Sequence, residues 1–114
     1  MDEQDIRLEN GELLSVKVNF LTLYLIKKTG IDKLQKKLKT AKKEAIEDLN
    51  IEIAAKMIYV ILRSNGKKVD EEEAMMLVPI DAGEIEKLFI EFKNKMEKLK
   101  KKRGYEDVED EDIG

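Results

Sequence analysis

Strict alternation of apolar and polar residues occurs only near the start of the chain. From Ile6 to Val18, Asn10-Gly11 sits between two β-prone runs, the strongest short-range signal for a β-hairpin. A two-residue loop would pair Leu8 with Leu13 and split the apolar residues between two faces. A three-residue loop, with Gly11 left-handed at a bulge, pairs Leu8 with Glu12 and Ile6 with Leu14. The second register gathers Ile6, Leu8, Leu14, Val16 and Val18 on one side, continuing into Phe20, and is the one predicted because it buries a single face.

After Val18 the pattern turns helical. Asn19 is placed to cap a helix through Phe20, Leu23, Tyr24 and Leu25 that stops at Thr29-Gly30, with Lys27 and Lys28 suited to its C-terminal dipole. Asp32 is expected to cap a second helix, with the narrow stripe Leu34, Leu38, Ala41, Ala45 and Leu49. Asn50 then opens the most apolar element, Ile51 to Leu62, whose Met57-Ile58-Tyr59-Val60-Ile61-Leu62 run is predicted to lie at the centre of the fold. Ser64-Asn65-Gly66 ends it. Asp70 with Glu73 reads as a capping box for a short helix that Pro79 terminates, and Asp81 with Glu84 as a second box opening a long helix to about Arg103. The class predicted is α+β and predominantly α: an N-terminal hairpin followed by about five mostly amphipathic helices. Residues 1–104 form one domain in this reading, and 105–114 a disordered acidic tail.

Charge divides the chain more sharply than its net value of −3 suggests. Residues 27–43 hold eight lysines against Asp32, net +7, and 93–103 net +6, whereas Tyr105 to Gly114 has six acids and no base. Cysteine and histidine are absent, which removes thiol nucleophiles, thiolate metal sites, the commonest zinc ligand and the commonest general base. Charged residues make up 41% of the chain, far above the usual quarter, so the surface must be almost wholly charged. No apolar stretch is long enough to span a bilayer, and the first residues lack a basic-then-apolar leader. A cytoplasmic, non-catalytic protein without cofactor or membrane contact is expected.

The candidate sites are few. The acids at 70–73 lack the ligand spacing of a calcium loop and fit a helix start. Ser15 and Ser64 have no base to activate them, and Gly66-Lys67-Lys68 lacks the rest of a phosphate loop. Met57, Met75, Met76 and Met96 read as core or interface filler. Two features stand out. The lysine-rich helix 33–43 has the charge to grip phosphates, but neither the arginine to read bases nor an aromatic to stack on them, which argues against nucleic acid. In the last helix Ile85, Phe89, Phe92, Met96 and Leu99 step by 4, 3, 4, 3, with Leu88 widening the seam. Its second half is expected to outrun the core. Phe89, Phe92, Met96 and Leu99 are therefore the candidate partner-binding residues, Met96 and Leu99 the more exposed of the four.

The order of these elements resembles the tail assembly chaperones of long-tailed bacteriophages and their prophages. The resemblance rests on the hairpin Ile6 to Val18, the segment Asn19-Phe20-Leu21-Thr22-Leu23 running to Thr29-Gly30, and the apolar helix Ala54 to Arg63. It continues through the acidic segment Val69 to Glu73 and a last helix with Phe89 and Met96, and covers about residues 5 to 100. The lysine-rich helix and the acidic tail depart from that pattern. Membership would imply a protein in the host bacterial cytoplasm that coats the tape measure protein before the tail tube polymerises, contacts the tube protein when displaced, and is absent from the mature virion. Whether it would act alone or as a homo-oligomer is open. The competing expectation is a small phage-encoded protein that acts on nucleic acid, or inhibits a host system, through the lysine-rich helix.

Overall fold

The computed structural model describes residues 4–103. The chain runs β1 (Ile6–Arg7), β2 (Leu13–Leu14), α1 (Phe20–Thr29), α2 (Ile31–Lys39), α3 (Lys43–Ser64), α4 (Glu71–Met76) and α5 (Ala82–Arg103). It is an α+β fold, mostly α, with the hairpin first. The predicted acidic tail 105–114 and its boundary at Gly104 lie outside the described residues.

Gly11 has φ +90°, the left-handed conformation that a three-residue loop requires and that side chains resist. The Leu8 amide donates to the Glu12 carbonyl at 2.8 Å, and the Gly11 amide to the Leu8 carbonyl at 2.9 Å. Ile6 pairs with Leu14, the predicted register. Ile6, Leu8, Leu14 and Val16 are buried and Val18 is half-buried, so the hairpin does present one apolar side. Phe20 does not continue it: the ring is exposed. Helix α1 turns Thr22, Leu23, Leu25 and Ile26 inward instead, leaving Phe20, Leu21 and Tyr24 toward solvent.

Asn19 caps α1 as predicted, its Oδ1 accepting the Thr22 amide at 3.1 Å. Thr22 reciprocates by accepting the Asn19 amide at 2.9 Å. Gly30, at φ +77°, closes α1 and also stands before the first residue of α2. Asp32 is consequently not the cap: it lies in the first turn of α2, where its charge still favours the helix N-terminus. The chain breaks at 40–42, and Ala45 and Leu49 belong to α3, not to the lysine-rich helix. Asn50 starts nothing. The stripe Leu49, Ile53, Met57 carries a single 22-residue helix straight through it, since one asparagine costs far less than this burial contributes.

Helix α3 is the centre, as predicted. Ala54, Ile58 and Val60 are 0% exposed, and the core gathers around them from the hairpin, Ile31, Ala74, Leu88, Phe92 and Met96. Asp70 and Glu73 form their capping box at 2.7 and 2.9 Å. The second box does not form. Asp81 accepts the Gly83 amide at 2.8 Å, but Glu84 turns away and accepts the Arg7 amide at 2.9 Å. Glu84 thus ties α5 to the hairpin. Lys87 braces the same joint through Glu84 at 3.2 Å and the Asp5 carbonyl at 3.4 Å, and the Glu9 amide donates to the Leu77 carbonyl at 3.0 Å.

Candidate partner-binding groove

Four helices, α1, α2, α3 and α5, leave a groove between them because α2 is short and basic. A nine-residue helix whose inward positions are Ile31, Leu34 and Leu38 covers only part of α3 and α5. The hollow has a volume of about 600 Å³. Its apolar lining is Ile26, Ile31, Leu38, Ile53, Met57, Phe89, Phe92 and Met96, and its rim is Asp32, Gln35, Lys93, Glu97, Lys100 and Lys101. A second hollow, of about 550 Å³, lies between the N-terminal half of α3, the α4–α5 link and the start of α5. Met75, Val78, Pro79, Ile80, Ile85 and Phe89 line it with Glu47 and Glu86.

The four residues singled out from the sequence do not act as one set. Phe89 is half-buried and lines both hollows. Phe92 and Met96, 4% and 8% exposed, belong to the core and form part of the first groove's wall. Leu99 is half-buried against the core and does not line the groove. The expectation that Met96 and Leu99 would be the more exposed pair is corrected for Met96, which is buried; Leu99, like Phe89, is half-buried. The segment after β2 accompanies α5 farther than expected: Lys95 Nζ donates to the Val16 carbonyl at 3.3 Å. The core therefore reaches Met96.

The remaining candidates resolve into local structure. Ser64 Oγ accepts from Thr22 Oγ1 at 2.8 Å and donates to the Ile61 carbonyl at 3.2 Å, which makes it a buried link between helices. Met57 is core, while Met75 and Met76 are exposed at 43% and 74%. Ile90, off the stripe, is exposed. Among the described residues no group of three or more acids is placed to hold a metal ion, and no helix is long and apolar enough to cross a membrane. Of the α2 residues, Ile31, Asp32, Gln35 and Leu38 face the groove, whereas Lys33, Lys36, Lys37 and Lys39 are exposed elsewhere on the helix. The lysine surface and the groove are separate features of one short helix.

Compared with protein-family models, curated proteins and solved structures, the chain matches none. The site must be read from its own chemistry.

Sequence inspection found the α5 side of the groove but missed Ile31, Ile53 and Met57. The available signal was Ile31 at three and seven residues before Leu34 and Leu38, hidden by placing the cap at Asp32. An apolar hollow with charged residues at its rim has the chemistry that suits the apolar face of a helix, the rim remaining in water.

Proposed function

We propose that the protein is a non-catalytic chaperone that covers an apolar helical face of a long protein partner. The partner in this reading is a phage tape measure protein, held in the host cytoplasm until tail tube subunits displace the chaperone. The observation that carries the proposal is the groove among α1, α2, α3 and α5, with its apolar floor and charged rim. The order of hairpin and helices, on which the resemblance to tail assembly chaperones rests, supports it. A long helical protein with exposed apolar stripes aggregates, and a small protein that shields those stripes reversibly keeps it soluble without chemistry. The shed protein would leave no trace in the finished virion.

A second reading has its own observation. Lys33, Lys36, Lys37 and Lys39 are exposed on α2, and the ion pairs Lys56–Glu71 and Lys87–Glu84 lie elsewhere. That surface suits a polyanion such as nucleic acid or an acidic host protein.

Co-purification of a helical tape measure fragment from the same genome separates the two. Groove binding is expected to persist at about 0.5 M salt, where the Debye length falls to roughly 4 Å and phosphate contacts collapse. A Leu38→Glu, Phe89→Ser double variant, checked for folding by circular dichroism, is expected to lose the fragment. Replacing Lys33, Lys36, Lys37 and Lys39 by Gln is expected to leave it bound. Loss of duplex DNA binding in the lysine variant, with no fragment bound by either protein, would overturn the chaperone reading.

A further inference from the structure

We propose that the two hollows form one trough, and that it holds a single amphipathic partner helix whose basic and acidic residues are segregated toward opposite ends. This rests on the reading of the first groove as a helix-binding site, and adds the charge pattern and direction of what binds.

The hollows share a wall. Phe89 lines both, and the α5 residues that face them, Ala82, Glu86, Phe89, Lys93, Met96 and Lys100, step by three or four along one helical face. Helix α3 contributes in the same order: Glu47, Asn50 and Ile51 to the second hollow, then Ile53 and Met57 to the first. The hollows are therefore consecutive along the α3–α5 seam. From Ala82 to Lys101 the seam measures about 28 Å at 1.5 Å per residue, the length of a helix of roughly 19 residues.

The apolar floor does not stop where the first groove ends. Met75, Val78, Pro79 and Ile80 extend it, and Ile80 is 82% exposed, an apolar side chain left in water at the far end. Methionine at such a position adapts to varied apolar partners.

The charges differ between the two hollows. The lining near α4 has Glu47 and Glu86 and no base, while the lining beyond Phe89 has Lys93, Lys100 and Lys101 against Asp32 and Glu97, a net single positive charge. Rim charges contribute little affinity each, but they steer a partner and fix its orientation. A helix with basic residues over Glu47 and Glu86 and acidic residues over Lys93 and Lys101 is matched in both hollows. Reversed, its acidic end meets Glu47 and Glu86 and its basic end meets Lys93 and Lys101.

The test uses three synthetic peptides of about 20 residues sharing one apolar face. One has its charges segregated by end, one has the same charges interspersed, and one carries uncharged polar residues. Fluorescence anisotropy is expected to show the segregated peptide binding about tenfold more tightly than the interspersed one at about 50 mM salt, the gap closing near 0.5 M. Glu47 and Glu86 are both exposed, so a Glu47→Lys, Glu86→Lys variant is expected to fold normally. It should abolish the preference of the segregated over the interspersed peptide. Equal binding of segregated and interspersed peptides, or a preference that survives the double variant, overturns the charge-directed trough and leaves the groove as a helix site. Binding of none of the three overturns both.

Discussion

One carboxylate joins residues 77 positions apart. Glu84 accepts the Arg7 backbone amide at 2.9 Å and meets Lys87 Nζ at 3.2 Å. The backbone hydrogen bond, aided by Lys87 and the Arg7 charge, holds its carboxyl below the usual range for a glutamate. A depressed folded pKa means that this contribution to stability is complete above the unfolded value, about 4.3, and is lost as pH falls through the lower, folded one. Thermal melts from pH 6 down to about 3 are therefore expected to show a decline that is shallower in Glu84→Gln, which cannot titrate. Equal slopes would mean that the Arg7 amide and Lys87 do not hold the Glu84 carboxyl below its usual range. The sequence could not disclose this role. Asp81 and Glu84 have the spacing of a capping box, and local spacing is all that a linear reading offers. The competing donor, the Arg7 amide, becomes available only once the fold is assembled. Asp70 and Glu73 face no such competitor, so there the spacing and the structure agree.

Between elements, the seam of α1 with α3 shows how a local signal becomes a tertiary one. Asn19 and Thr22 cap α1, but Asn19 Nδ2 also donates to the Ser64 carbonyl at 3.0 Å, and Thr22 Oγ1 to Ser64 Oγ at 2.8 Å. Asn65 Nδ2 adds a donation to the Lys17 carbonyl at 3.0 Å. The start of one helix is thereby clamped onto the end of another. Thr22 and Ser64 are both buried. Thr22→Val keeps the shape but leaves the Asn19 amide and Ser64 Oγ without this partner, and is expected to cost about 1–3 kcal/mol in urea unfolding. Asn19 was legible as a cap because capping is a short-range rule. The clamp was not, because nothing in the sequence says which helix end meets which. Helix limits follow the same division. Gly30 and the hairpin loop were readable from residues that favour a left-handed backbone. The α2–α3 break was misplaced because Leu38, Ala41, Ala45 and Leu49 keep helical spacing across a gap in which the chain leaves one axis for another.

For the whole molecule, the two strongest sequence signals concern opposite sides of the same assembly. The apolar seam of α5 identified Phe89, Phe92 and Met96, which do line the groove, yet most of its other wall comes from Ile26, Ile31, Leu38, Ile53 and Met57 on three further helices. Convergence of that kind is a property of packing and leaves no mark in a linear pattern. The lysine excess was plain in composition, but its placement on exposed positions of α2, apart from Gln35 and Leu38 in the groove, required the fold. The central claim is that a partner helix lies against the walls of the first groove. Met57 of α3 and Met96 of α5 both contribute to its lining. Methyl- and amide-detected NMR of protein labelled at its methionine methyls and its backbone amides, during titration with a helical tape measure fragment, tests the claim directly. The account predicts that the Met57 and Met96 signals shift together and saturate with the fragment, while the amides of Lys33, Lys36 and Lys37 change little. A fragment that binds with Met57 and Met96 unmoved, and with the shifts confined to the lysine face of α2, would contradict it.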